Sequence, residues 1–140
     1  MYFIGRGIDR AAVMEACLKL KEISYIHSEA FASGELKHGP IALIDDGSLV
    51  ITIITDENLK EKAINNVQEV KSRGAIVFAI SSLDLNGDDF NFVIRIPKTN
   101  IYLTPILSII PGQLFAYYIT KKKGFDVDKP KNLAKSVTVE

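Results

Sequence analysis

The sequence predicts a three-layer α/β domain built on a mainly parallel sheet, and three observations carry that prediction. Four short apolar runs, at 2–5, 49–55, 75–81 and 92–96, alternate with stretches of helical spacing. The second run reads Leu49, Val50, Ile51, Thr52, Ile53, Ile54, Thr55. It is β-branched with almost no polar alternation, as a strand covered on both faces reads. Strand, helix, strand, helix, strand is also the order of right-handed βαβ crossovers.

The elements follow in turn. Residues 2–5 form the first strand. A helix is expected over 9–26, with Val13, Ala16, Cys17, Leu20 and Ile23 on its apolar stripe and Asp9 as its N-cap. His27 is expected to cap its far end. The stretch 28–46 is harder to read: 34–43 suits a short helix, but Gly39-Pro40 interrupts it. A second helix is expected over 58–73, capped by Asp56 and stopped by Gly74, with Leu59, Ala63, Val67 and Val70 facing inward. Residues 84–89 form a polar turn centred on Asn86-Gly87. A third helix is expected over 105–123. Thr104-Pro105 opens it, Lys121 to Lys123 suit its C-terminal dipole, and Pro111 should kink or split it. Residues 124–140 show no periodicity.

Composition narrows the class. With 140 residues, 47% of them apolar, the chain suits one domain with a real core. Seventeen basic residues balance seventeen acidic ones, which speaks against a nucleic-acid binder driven by bulk charge. No run reaches the roughly 18 apolar residues of a membrane span, and no secretory signal is visible. One cysteine and two histidines leave neither a disulfide nor a metal centre to expect. The expectation is a soluble, cytoplasmic, single domain with no metal and no cofactor.

Several residues could carry chemistry. Glu15, Lys19, Glu22 and Ile26 share one narrow stripe of the first helix at about 100° per residue. Such a stripe is either a solvated face of ion pairs or a catalytic glutamate with a lysine one turn away. His38, in Glu35-Leu36-Lys37-His38-Gly39-Pro40, is either an idle loop histidine or an acid/base at neutral pH. Gly5-Arg6-Gly7 lies between strand and helix, where anions often bind, or Arg6 simply faces solvent. Cys17 reads as core. The end of the chain, 132–140, mixes apolar and hydroxyl residues, so it is either a frayed terminus or a segment that docks over a site and brings Lys135 there.

Three separated motifs then give a resemblance. Leu18-Lys19-Leu20-Lys21-Glu22-Ile23-Ser24-Tyr25-Ile26-His27, Gly34-Glu35-Leu36-Lys37-His38-Gly39-Pro40 and Leu133-Ala134-Lys135-Ser136-Val137-Thr138-Val139-Glu140 resemble the glucosamine-6-phosphate synthases, the isomerising glutamine–fructose-6-phosphate aminotransferases. Asp126-Val127-Asp128-Lys129-Pro130 fits as well, and the likeness runs from Gly5 to Glu140.

The resemblance implies a sugar isomerase (SIS) fold with a parallel sheet of about five strands between helices. It implies that 1–140 is the second SIS subdomain, with 124–140 as its tail. A first SIS subdomain and a glutaminase domain with a terminal cysteine nucleophile would complete the enzyme. The Ser/Thr-rich loop that binds sugar phosphate belongs mostly to the first subdomain, and this sequence has no such loop. By resemblance Glu22 is the base that moves a proton between C1 and C2 of the open-chain imine, with Lys19 beside it. His38 opens the sugar ring from a neighbouring subunit, and Lys135 meets the substrate carbonyl and forms a Schiff base. Ala134 and Lys135 bind substrate. The substrate is fructose 6-phosphate, the product glucosamine 6-phosphate, and the assembly a homo-oligomer, a dimer. Rival readings are another SIS enzyme, such as a fructosamine-6-phosphate deglycase, or a non-catalytic sugar-phosphate-binding module.

Overall fold

The computed structural model describes residues 1–131. In chain order the elements are β1 (Tyr2–Gly5), α1 (Asp9–Ser24), β2 (Glu29–Ala32), β3 (Leu49–Ile54), α2 (Lys60–Lys71), β4 (Ile76–Ser81), β5 (Phe92–Arg95) and α3 (Thr104–Lys122). All strands are parallel, in the order β2-β1-β3-β4-β5.

The unbroken apolar run of β3 is explained by its two covered faces. Val50 and Ile54 enter the core beneath α2, with Ile4, Val67, Val70 and Val77. Ile51 and Ile53 enter the core beneath α1 and α3, with Phe3, Val13, Ala16, Leu20 and Ala116. Period-two alternation thus supplies two cores from one strand.

The structure adds a fifth strand within the stretch 28–46. Strand β2 is a four-residue edge strand, half-buried throughout, paired to β1 from Tyr2 with Glu29 to Gly5 with Ala32. It lacks the β-branched density that marks a central strand. Two short 3₁₀ turns follow, Ser33–His38 and Pro40–Leu43, and Gly39 separates them at φ 145°.

Several local expectations change. Helix α1 stops at Ser24, not at residue 26, because Tyr25 adopts a left-handed conformation (φ 59°) and its N–H closes onto the Lys21 carbonyl. His27 does not cap that end; it is exposed and lies 3.3 Å from Glu29. Asp9 does not cap α1 either, because its carboxylate turns away to the end of β3 and accepts from Thr55. Pro111 does not split α3, which runs unbroken from Thr104 to Lys122. By length and composition Ile101–Lys122 is also apolar enough to cross a membrane, against the expectation from sequence. One side of α3 carries buried small residues (Ser108, Gly112, Ala116 and Thr120) and rests on α1. Gly74 closes the chain after α2 at φ 86°, as expected. Asp56 does not cap α2: it caps the short 3₁₀ turn Glu57–Leu59, accepting the Asn58 N–H at 2.9 Å, and α2 itself starts at Lys60 with no side-chain cap.

Candidate functional site

The last turns of α1 hold the acid–base stripe. Lys19 Nζ donates to Glu22 Oε2 at 2.7 Å and stands 3.5 Å from Glu15 Oε1. The Glu22 side chain is 23% exposed, so it is half-sheltered rather than freely solvated. The hydrogen bond to Glu22 holds the Lys19 ammonium above its ordinary pKa, with Glu15 adding to the effect against a smaller desolvation cost. A fixed ammonium beside a half-buried carboxylate is an arrangement that can hold and orient a base.

The same helix end receives the start of the C-terminal tail. Lys123 Nζ donates to the Ser24 carbonyl at 2.7 Å. Phe125 meets the Tyr25 ring edge-on, with centroids 5.1 Å apart. The Lys131 N–H donates to the Tyr25 hydroxyl oxygen at 2.6 Å. Sequence reading missed Tyr25 and Phe125; the one available signal was an aromatic residue just beyond the helix stripe. Ala134 and Lys135 lie outside the described residues.

His38 sits elsewhere. It ends the Ser33–His38 turn, which Leu36 anchors in the core on the α2 side of the sheet. Its side chain is 63% exposed, and Nδ1 lies 3.0 Å from Glu35 Oε2. Among the described residues no hydrogen bond or ion pair joins His38 to Glu22 or Lys19. One chain therefore brings Lys19 and Glu22 together but not His38, because the sheet lies between their layers.

Arg6 is half-buried and turned toward α2. Its Nη1 donates to Oδ1 of buried Asn66 on α2 at 3.0 Å, and its guanidinium lies against Gly34. A Cβ on residue 34 would stand 3.0 Å from Nη1, so a larger residue there would make the guanidinium shift. Cys17 is buried core, as its position suggests, with Sγ 3.2 Å from the Ser28 hydroxyl. A depression of about 500 Å³ lies just beyond β3, next to the switch in strand order between β1 and β3. Asp56, Glu57, Asn58 and Tyr102 line it, and it contains none of Lys19, Glu22 and His38.

Comparison with known proteins agrees with this architecture. Residues 1–120 match the SIS domain family. The chain is 56% identical over 142 residues to the isomerising glutamine–fructose-6-phosphate aminotransferase of Clostridium tetani, covering 100% of this chain and 23% of that protein. It thus spans about a quarter of the length of the curated relatives it matches. Among solved structures it is similar to the C-terminal domain of glucosamine-fructose-6-phosphate aminotransferase from Francisella tularensis, with a TM-score of 0.84 and 38% identity over 90% of this chain and 36% of that one. A glucosamine-6-phosphate deaminase from Thermotoga maritima is also similar, with a TM-score of 0.74 and 29% identity over 97% of this chain and 40% of that one. With its five parallel strands between helical layers and a family match over most of its length, the chain belongs to the SIS domain family.

Proposed function

We propose that residues 1–140 are the second SIS subdomain of an isomerising glutamine–fructose-6-phosphate aminotransferase, with 124–140 as its tail. In that role the domain carries out the proton transfer that turns a fructose 6-phosphate imine into glucosamine 6-phosphate. The observation that carries the reading is the 2.7 Å pair of Lys19 and Glu22 at the half-sheltered end of α1, in a chain this similar to such enzymes. Glu22 removes a proton from one carbon of the open-chain imine and returns it to the next. A single base that does both suits aldose–ketose exchange. Lys19 keeps the carboxylate in one orientation.

Lys135 adds its amine to the sugar carbonyl, with Ala134 beside the bound sugar. The tail supports this: Lys131 is held at Tyr25, and four residues from there reach at most about 14 Å. His38 acts on the sugar ring of a neighbouring subunit in a cytoplasmic homo-oligomer. Its exposure, and its place across the sheet from Glu22, suit a group used by a partner rather than by its own chain. A first SIS subdomain supplies the phosphate site, and a glutaminase domain supplies ammonia.

The test is Glu22→Gln in the intact enzyme. Turnover should fall by about 10²–10⁴-fold with KM for the sugar phosphate little changed, because the substitution keeps size and removes the base. Turnover within a few-fold of wild type would leave Glu22 as one member of a solvated ion-pair stripe.

A further inference from the structure

We propose that Tyr25 is a positioning residue: it anchors the start of the C-terminal tail one helical turn from Glu22, and so sets how often Lys135 reaches the sugar. This deepens the function proposed above and rests on its reading of Lys135.

Tyr25 is the one residue other than glycine with a positive φ among the described residues. Helices commonly end in that conformation on glycine, where no Cβ is crowded. A tyrosine there is a departure, and its side chain shows what it is used for. Gly124, at φ 76°, turns the chain back after α3, and the Phe125 N–H closes onto the Thr120 carbonyl. Phe125 is thereby laid edge-on against Tyr25. The ammonium groups of Lys123 and Lys131 each stand 5.1 Å from the Phe125 ring centroid. Asp126 Oδ1 accepts the Asp128 N–H at 2.9 Å and bends the segment once more. The Lys131 amide then returns to the Tyr25 hydroxyl. Residues 123–131 thus form a loop fastened at both ends to the terminus of α1. A cap that served only the helix would need none of these contacts, since the Tyr25 N–H already satisfies Lys21.

The consequence is a shorter tether. In sequence, Lys135 follows the Lys131 anchor by four residues and Gly124 by eleven. Encounter probability falls roughly as the −3/2 power of tether length, so release should slow capture of the sugar by about fivefold.

The experiment uses the intact enzyme with Tyr25→Phe, which keeps the ring and removes the acceptor, and with Tyr25→Phe combined with Phe125→Ser. In capture, the Lys135 amine adds to the C2 carbonyl of fructose 6-phosphate and water leaves. Borohydride then delivers hydride to the imine carbon, and the trapped adduct is counted by mass spectrometry. Amide exchange across 126–131 is read in parallel. Tyr25→Phe should speed exchange at Lys131 by about tenfold with thermal midpoint unchanged, as loss of one hydrogen bond does. The double variant should slow trapping about fivefold. Faster exchange with unchanged trapping would make the clasp purely structural and overturn the proposal. Unchanged exchange would overturn the anchor itself. Absence of any trapping in the wild-type enzyme would overturn the Lys135 reading, and the positioning role with it, while leaving the Glu22 result standing on its own.

Discussion

Thr55 is bound twice by Asp9, 46 residues earlier in the chain: its N–H donates to Oδ2 at 2.8 Å and its hydroxyl to Oδ1 at 2.5 Å. The Thr104 hydroxyl lies 3.1 Å from that of Thr55, so the starts of α1 and α3 converge on the end of β3. Asp9 is 3% exposed, and desolvation raises its pKa above the ordinary 3.8 despite the two bonds from Thr55 that oppose the shift.

The folded protein therefore holds the Asp9 proton to higher pH than the unfolded chain does. This contribution to stability is fully present below about pH 3.8 and is lost as pH rises through the raised native pKa. Asp9→Asn should lack that component of the pH slope, read from urea midpoints across a pH series. Asp9→Ala should cost about 1–3 kcal/mol, because it strands the buried Thr55 N–H. Equal pH slopes in wild type and Asp9→Asn would refute the assignment.

Gly112 and Ala16 set how closely α3 approaches α1. A Cβ on residue 112 would stand 2.6 Å from the Ala16 Cβ. Gly112→Ala gains roughly 1 kcal/mol of helix propensity but overpacks a tight contact by about 1–3 kcal/mol. The expected net result is a loss of up to about 2 kcal/mol and a thermal midpoint lower by up to several degrees. Adding Ala16→Gly should recover most of the loss, and additive losses in the double variant would contradict the contact.

Lys19→Met separates an ion-pair stripe from a functional pair. Exposed and half-exposed pairs contribute up to about 1 kcal/mol, so stability should change little. Turnover of the intact enzyme should nonetheless fall at least about tenfold, as the carboxylate loses the group that orients it. A variant with wild-type turnover would return Lys19 to the surface.

The outer side of α3 carries Ile106, Ile110, Leu114 and Tyr118, four residues apart and 47–65% exposed. Phe92 and Ile94 on the edge strand β5 extend the apolar surface. A patch of this kind favours association. The 140-residue chain should sediment with concentration-dependent mass, and Leu114→Glu with Tyr118→Glu should abolish that dependence. A strict monomer at all concentrations would contradict it.

The parts readable in the sequence were those with a local signature. Strands β1, β3, β4 and β5 announced themselves through short apolar runs, β3 most clearly because its run is β-branched, and all three helices through their apolar spacing. Strand β2 did not, because an edge strand of Glu29-Ala30-Phe31-Ala32 has neither density nor alternation to mark it. The pairing of Lys19 with Glu22 followed from helical geometry. The turn of Asp9 toward Thr55 and the meeting of Tyr25 with Lys131 did not, since each joins segments far apart in the chain. Local propensity favoured a helix cap for Asp9, and a buried threonine at the end of β3 offered the carboxylate a better partner.

The packing of α1 on α3 also governs the order of events during synthesis. Among the described residues they are the first and the last helices, about a hundred residues apart from start to start, and closing so large a loop carries an entropic cost. A nascent chain that has emerged only as far as β5 still holds Val13, Ala16 and Leu20 without their cover, since Ala116 has not left the ribosome. The other face of the sheet, completed by α2, can consolidate earlier. The half-made domain is thus one-sided, with that apolar face open until α3 arrives.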